Sequence, residues 1–150
     1  MIPDTMPSGA MRARILIGDD CATSRLVQER ILRHTGHEIM MASDGVEVIE
    51  AARSQAPDLI LLDLRMPRVG GLEALRELKR SPQTRHVPVI VVTVCGDTGA
   101  FKQAAESGCS AFLTKPFDAD ALLMSVERNL AHRKPNPPPN VATETPTGSE

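Results

Sequence analysis

The chain has 150 residues, a formal net charge of -2, and neither Trp nor Tyr. This length suits one domain of ordinary size, so we expect no second, catalytic or DNA-binding, domain. The balanced charge gives no general attraction to nucleic acid or to an anionic membrane, and no apolar stretch approaches the roughly 20 residues of a membrane helix. Since the N-terminus lacks a signal-peptide pattern, the sequence predicts a cytoplasmic protein without nucleic-acid or membrane partners.

Both ends of the chain predict little regular structure. Residues 1–11 mix Pro, Gly, Ser and Met without a period, so we expect a flexible leader. From residue 134 onward the chain is Pro-rich and holds too few apolar residues to fold, which predicts a disordered tail. The folded domain is therefore expected to span residues 12–133.

Between these ends, five predicted strands alternate with five predicted helices. Short apolar runs predict strands that end at Gly18, Ala42, Asp63, Thr93 and Lys115. Helices are predicted over residues 22–34, 45–54, 71–80, 98–107 and 118–132. Asp44 is expected to cap the second helix, and Leu26, Val27 and Ile31 to form the inner face of the first. This alternation predicts an α/β fold, with a five-stranded parallel sheet and helices on both faces.

Polar residues end or follow four of these strands. They are Asp19, Asp20, Asp63, Thr93 and Lys115. Because ligands bind at the carboxyl ends of parallel strands, we expect these side chains to meet at one edge of the sheet. Crowded carboxylates repel one another unless a cation joins them, and Mg2+ prefers oxygen ligands of this kind. With a hydroxyl and an ammonium group beside them, the pattern predicts a phosphoryl-transfer site.

Each of these residues also has an ordinary structural explanation. Asp20 could cap the first helix, Thr93 could be a β-branched strand residue, and Lys115 could be a solvated lysine in a turn. Asp63 is harder to explain in this way, because the Leu-Leu-Asp-Leu run around it would bury an unpaired carboxylate at high cost. Taken together, the five positions favour a functional site.

The order and spacing of these residues resemble those of response-regulator receiver domains of two-component signalling. The resemblance covers about residues 14–133 and includes the Asp19-Asp20 pair, Asp63 before Leu-Arg-Met-Pro, Thr93, and the Thr-Lys-Pro-Phe run at 114–117. It implies a flavodoxin-like strand order of 2-1-3-4-5 and a phosphorylatable signalling switch. Such a domain is not an enzyme with an external substrate, since it catalyses only its own phosphorylation and slow dephosphorylation.

Carried over residue by residue, the resemblance implies that Asp63 is the phosphoacceptor and forms an acyl phosphate. Asp20, Asp63 and the backbone carbonyl of Arg65 would bind Mg2+ directly, with Mn2+ as a substitute, and Asp19 would act mainly through metal-bound water. The sequence holds no phosphate-binding glycine loop. The phosphodonor would therefore be a histidine kinase, a histidine phosphotransfer protein or a small acyl phosphate.

The resemblance also implies how the switch works. Lys115 and Thr93 would bind phosphoryl oxygens, and Phe112 would rotate into the space that Thr93 leaves. The output surface would be the fourth helix, fifth strand and fifth helix, about residues 97–133, where a downstream protein target would bind or a phosphorylation-dependent homodimer would form. The peptide bond from Lys115 to Pro116 would be cis, so that the ammonium group faces the site.

Three features depart from the family pattern. Val94 is larger than the small residue common at its position, and the Gly70-Gly71 pair is expected to loosen the loop after the phosphoacceptor. Arg65 and Cys95 occupy the positions that tune hydrolysis of the acyl phosphate, and neither is an obvious water-orienting group. We therefore expect a long-lived phosphorylated state.

Two other classes of function fit parts of the sequence. A Mg2+-dependent phosphohydrolase also uses an Asp nucleophile, but it needs an acid or base two residues later, where this chain has Arg65. A flavodoxin-like cofactor binder would share the architecture, but the absence of Trp and Tyr weakens flavin stacking. Multiple turnover on small phosphate esters would support the first class, and a colourless purified protein would exclude the second.

Overall fold

The computed structural model describes residues 12–66, 68–94 and 98–131. The predicted leader, the predicted tail and Cys95 lie outside these residues. Within them, five strands form one parallel sheet: β1 (Arg14–Gly18), β2 (Glu38–Ala42), β3 (Leu59–Asp63), β4 (Val89–Val94) and β5 (Ala111–Lys115). Their order is β2-β1-β3-β4-β5, which confirms the predicted parallel sheet and its strand order.

Five helices in the described part of the chain begin and end within one residue of their predicted bounds. They are α1 (Ala22–Arg33), α2 (Gly45–Gln55), α3 (Gly71–Arg80), α4 (Thr98–Glu106) and α5 (Ala119–Ala131). The predicted cap of α2 is confirmed, because the Asp44 carboxylate accepts a hydrogen bond from the N–H of Glu47 at 2.9 Å. Among the described residues, no helix is both long enough and apolar enough to cross a membrane.

Strand side chains alternate between two cores, one on each face of the sheet. On one face, residues such as Leu16 and Ile60 pack with α2, α3 and α4. On the other, residues such as Ile17 and Leu61 pack with α1 and α5. Every residue of the central strand β3 is buried, because helices cover both of its faces. The same burial extends to Asp63, the last residue of β3, at the carboxyl edge of the sheet.

The predicted inner face of α1 is largely wrong. Leu26 and Val27 are 46% and 47% exposed, Ile31 is half-buried, and the buried residues of the helix are Gln28 and Leu32. Gln28 and Leu32 lie four residues apart and therefore share one face of the helix. The polar Gln28 is buried because its amide donates a hydrogen bond to a carboxylate beyond the end of β1. The observed inner face therefore differs from the predicted one by a polar contact, which hydrophobic periodicity does not register.

Candidate phosphoryl-transfer site

The carboxyl ends of β1, β3 and β5 bring one ammonium group against two carboxylates. Lys115, the last residue of β5, donates from Nζ to Asp19 Oδ2 at 3.0 Å and to Asp63 Oδ2 at 3.1 Å. The peptide bond between Lys115 and Pro116 is cis, which confirms that prediction. Three of the five predicted site residues are therefore in direct contact, although they come from three separate strand ends.

Asp19 is fully buried, and both of its carboxylate oxygens accept hydrogen bonds. Oδ1 accepts from the N–H of Cys21 at 2.9 Å, and Oδ2 accepts from Ser24 Oγ at 2.6 Å and from Gln28 Nε2 at 3.1 Å. Burial alone would raise the pKa of Asp19, but its hydrogen bonds and the Lys115 ammonium outweigh burial and hold this pKa below its usual value. Asp19 is therefore ionised at neutral pH and held in one orientation.

Asp63 is only 7% exposed and has fewer donors than Asp19. Its Oδ1 accepts from the N–H of Arg65 at 3.0 Å, and its Oδ2 accepts from Lys115. Burial raises the pKa of Asp63, the nearby Asp19 carboxylate raises it further, and the two hydrogen bonds offset only part of this effect. Burial would lower the pKa of Lys115, but its two carboxylate partners outweigh burial and raise it. The site thus places the charged ammonium group of Lys115 beside the Asp63 carboxylate, which accepts fewer hydrogen bonds than Asp19 does.

Three carboxylates at this edge can hold a divalent cation. Asp19, Asp20 and Asp63 each offer one oxygen atom, and these atoms lie within 4.8 Å of one another. Asp20 is exposed, so the cluster is open to solvent on its side. The donors are all oxygens, and Mg2+ binds through one or two carboxylates while it keeps several waters. The residues present therefore fit Mg2+.

The two predicted switch residues lie on β4 and β5. Thr93 follows Val92, the β4 partner of Asp63, and it is 1% exposed. Its Oγ1 has no hydrogen-bond partner among residues 12–66, 68–94 and 98–131, and a buried hydroxyl left in that state costs about 1–3 kcal/mol. Phe112 is half-buried, and its ring meets the Phe101 ring of α4 edge-on, with the centroids 4.6 Å apart. Thr93 is thus a buried donor available to a ligand, and Phe112 is linked to α4.

The loop between β3 and α3 is tied to the start of α2 by contacts that the sequence did not reveal. Arg68 donates from Nε and Nη2 to Asp44 Oδ2 at 2.9 and 2.7 Å. The N–H of Gly45 donates to the carbonyl of Val69 at 3.0 Å. The loop that follows Asp63 is therefore anchored rather than loosened.

Sequence reasoning also missed three residues of α1 that contact Asp19. Ser24 and Gln28 donate to its carboxylate, and Arg25 donates from Nη1 to its backbone carbonyl at 2.6 Å. The available signal was two polar residues four positions apart on a helix. That spacing alone does not distinguish a buried network from a solvated face.

Comparison with known proteins identifies the family. The model of the response regulator receiver domain matches residues 15–127 of this chain. The chain therefore belongs to the response regulator receiver domain family, and the resemblance stated from its motifs is confirmed. Its class is that of the phosphoryl-accepting domains of two-component signalling.

Relatives and a solved structure support this assignment. The response regulator PleD of Caulobacter vibrioides is 40% identical over 124 residues, which cover 83% of this chain and 27% of PleD. The chain thus spans about a quarter of the length of PleD. Protein PilH of Pseudomonas aeruginosa is 34% identical over 119 residues, which cover 79% of this chain and 98% of PilH. A solved structure that resembles this chain is the receiver domain of the sensor histidine kinase PA1611 of Pseudomonas aeruginosa PAO1. It superposes with a TM-score of 0.75 at 29% identity, over 81% of this chain and 99% of that domain. That structure has a magnesium ion coordinated in the active site cleft.

Proposed function

We propose that this chain is a signalling switch in which Asp63 accepts a phosphoryl group from a histidine kinase or a histidine phosphotransfer protein. The family supports the class of function. The observation that carries the choice of residue is the Lys115 ammonium group, 3.1 Å from Asp63 Oδ2 and shared with Asp19. An ammonium group shared by two carboxylates can pass to a phosphoryl oxygen when one of them is phosphorylated.

The surroundings of the three carboxylates favour Asp63 as the acceptor. Asp19 is fully buried and is committed to several donors on both oxygens. Asp20 is exposed and lies beyond the end of β1. Asp63 keeps a small exposed fraction and accepts from one N–H and one ammonium group, which leaves lone pairs for attack on phosphorus.

In the proposed step, a carboxylate oxygen of Asp63 attacks phosphorus and the bond from phosphorus to the imidazole nitrogen of the donor breaks. The imidazole leaves with that electron pair, as the neutral ring when its other nitrogen carries a proton. Lys115 and Thr93 then donate hydrogen bonds to oxygens of the transferred group. The buried hydroxyl of Thr93, which lacks a partner in the described part of the chain, supports this role.

Asp20, Asp63 and the backbone carbonyl of Arg65 would hold Mg2+, or Mn2+ in its place, and Asp19 would act mainly through metal-bound water. The ion would offset the negative charge of the carboxylates and of the transferred group. Support comes from the carboxylate oxygens within 4.8 Å of one another and from the magnesium ion in the PA1611 receiver domain. The hydrogen bonds already made by both Asp19 oxygens favour its indirect role.

The output surface is proposed to be α4, β5 and α5, within residues 97–133. Movement of Thr93 toward the phosphoryl group would let Phe112 turn inward, and the contact of Phe112 with Phe101 links this turn to α4. A groove of about 550 Å³ between β5 and α5 is lined by Phe112, Met124 and Arg128, among others. A downstream protein target, or a second copy of the phosphorylated chain, would bind the altered surface.

We place the signalling domain at residues 12–133, with the leader 1–11 and the Pro-rich tail 134–150 outside it, and its working location in the cytoplasm. Its catalysis would be limited to its own phosphorylation and slow dephosphorylation. We expect the phosphorylated state to be long-lived, because neither Arg65 nor Cys95 is an obvious water-orienting group.

Phosphorylation by a small acyl phosphate tests the proposal. Incubation with acetyl phosphate and Mg2+ should add a single phosphoryl group to the wild-type chain, measured by intact mass, and hydroxylamine or base should remove it. Asp63→Asn should give no adduct, because the nucleophile is absent. Lys115→Ala should reduce the adduct, whereas Thr93→Ala should keep the adduct and lose the change at the output surface.

Asp58→Asn is the matched control, since Asp58 lies just before β3 and accepts from the N–H of Arg14 at the opposite end of the strand. It should be phosphorylated like the wild type. An undiminished adduct in Asp63→Asn, or none in the wild type with any donor and metal, would overturn the proposed function and leave the family assignment intact. Repeated turnover of small phosphate esters would favour a phosphohydrolase instead.

A further inference from the structure

We propose that Ser24 and Gln28 of α1 are positioning residues that hold Asp19 for the metal and allow Lys115 to leave it. Ser24 Oγ donates to Asp19 Oδ2 at 2.6 Å, and Gln28 Nε2 donates to the same oxygen at 3.1 Å. Gln28 Nε2 also lies 3.2 Å from Ser24 Oγ, so the three side chains form one network. The inference rests on the proposed function, in which Lys115 transfers to a phosphoryl oxygen.

Burial makes the two neutral donors important. Asp19 is fully buried and Gln28 is 1% exposed, so bulk water does not readily replace a hydrogen bond that Asp19 loses. Lys115 is shared between Asp19 and Asp63. If Lys115 were the sole side-chain donor to Asp19, its departure would leave a buried carboxylate without a side-chain partner. Ser24 and Gln28 remain with Asp19, so Lys115 is free to move.

Packing alone does not explain Gln28. Gln28 shares the inner face of α1 with Leu32, which is fully buried in the apolar core. If packing alone mattered at position 28, a Leu would serve better, because it has no polar atoms that need hydrogen-bond partners. Its Oε1 is buried without a hydrogen-bond partner in the part of the chain that the structure describes. A side chain that stays buried with one unsatisfied oxygen indicates that its donor contacts are what matter. The principal one is the bond to Asp19.

Metal affinity of the full chain tests the inference. Because the protein lacks Trp and Tyr, Mn2+ binding is best followed by the loss of the free-ion signal in electron paramagnetic resonance. Gln28→Leu and Ser24→Ala should each raise the Mn2+ dissociation constant roughly tenfold, as loss of a group that orients a metal ligand commonly does. Ser24→Thr keeps the hydroxyl and should bind Mn2+ like the wild type.

Adduct formation on Asp63 provides a second readout. With Mn2+ at saturation, Gln28→Leu should be phosphorylated more slowly by acetyl phosphate, because Lys115 then stays on Asp19. An unchanged rate would overturn the part of the inference that concerns Lys115.

Thr84→Val is the matched control. Thr84 is also 1% exposed, and its hydroxyl donates to the carbonyl of Leu78 at 2.7 Å, before the start of β4. This variant should lose stability without a change in Mn2+ affinity. Equal Mn2+ affinity in the wild type, Gln28→Leu and Ser24→Ala would overturn the inference and leave the proposed function standing. A loss of Mn2+ affinity in Thr84→Val or Ser24→Thr as large as that in Gln28→Leu would also overturn the inference and leave the proposed function standing. A wild-type chain that binds no Mn2+ would overturn the proposed metal site together with this inference.

Discussion

Replacing Gly71 by Ala should destabilise the protein and displace the residue that we propose is phosphorylated. A Cβ at position 71 would lie 2.2 Å from the carbonyl oxygen of Asp63 and 2.4 Å from Cα of Leu64. Close carbon–oxygen contacts in proteins are about 3.3–3.6 Å, so backbone must move by roughly 1 Å. Because the obstructing atoms are backbone atoms at the end of β3, rotation of a side chain cannot relieve the overlap.

The expected cost follows from this overlap. Extra volume in a packed site costs about 1–3 kcal/mol, and the better helix propensity of Ala at the first residue of α3 returns at most about 1 kcal/mol. A net loss of about 1–2 kcal/mol should lower the melting temperature by roughly 3–10 °C for a domain of this size. A misplacement of about 1 Å at the reacting group can cost about 100-fold in rate, so phosphorylation of Asp63 should also slow sharply.

The neighbouring glycine is the control. A Cβ on Gly70 would meet nothing closer than 3.9 Å, and its φ of -72° suits any residue. Gly70→Ala should therefore change stability by no more than about 0.5 kcal/mol, because a weaker helix cap and a stiffer unfolded chain nearly cancel. Thermal melts and the rate of adduct formation compare the two variants. If Gly71→Ala melts and reacts like Gly70→Ala, the packing argument is refuted.

Three further predictions concern the metal, the acceptor and the switch. About 10 mM Mg2+ should stabilise the wild type by roughly 1.4 kcal/mol if the dissociation constant is on the order of 1 mM. If Mg2+ raised the melting temperature of Asp20→Ala as much as that of the wild type, the proposed metal site would be contradicted. Without metal, Asp63→Asn should raise the melting temperature at pH 7. Burial raises the pKa of Asp63 above the ordinary Asp value of 3.8, so ionisation of this group destabilises the folded protein as the pH rises above 3.8. The neutral Asn avoids this loss of stability. The gain should shrink as the pH falls towards 3.8, so a gain independent of pH would contradict this cause. A double-mutant cycle of Phe101→Leu and Phe112→Leu should give a coupling of about 0.5–1.5 kcal/mol in chemical denaturation, and a coupling of zero would show that the edge-on ring contact does not link the two elements.

Most of the fold was predictable because its elements have local causes. Strands buried on both faces, such as β3, appear in the sequence as continuous apolar runs, and a helix-length segment separates each from the next. The cap of α2 is equally local, since Asp44 accepts from an N–H only three residues away. The order of the strands came from the family resemblance, because periodicity does not specify which strands pair.

The first helix marks the limit of local patterns. Its apolar residues Leu26 and Val27 indicated an inner face, yet the structure turns Gln28 and Leu32 inward. Hydrophobic periodicity counts only apolar burial, and it misses a polar side chain that is buried by a hydrogen bond to Asp19. The two adjacent glycines illustrate the same limit, since the pair suggested a loose loop, whereas the space around Gly71 is closed by backbone.

The sequence by itself determined which residues stand at the carboxyl ends of the strands, because each position follows from the apolar run that precedes it. These residues are Asp19, Asp20, Asp63, Thr93 and Lys115. Only the tertiary structure decided which of them touch and what else they bind. Lys115 contacts Asp19 across 96 positions of the chain, and Ser24 and Gln28 complete the shell of that carboxylate. Such hydrogen bonds require donor and acceptor within narrow limits of distance and angle, and the packing of the whole sheet against its helices sets those limits.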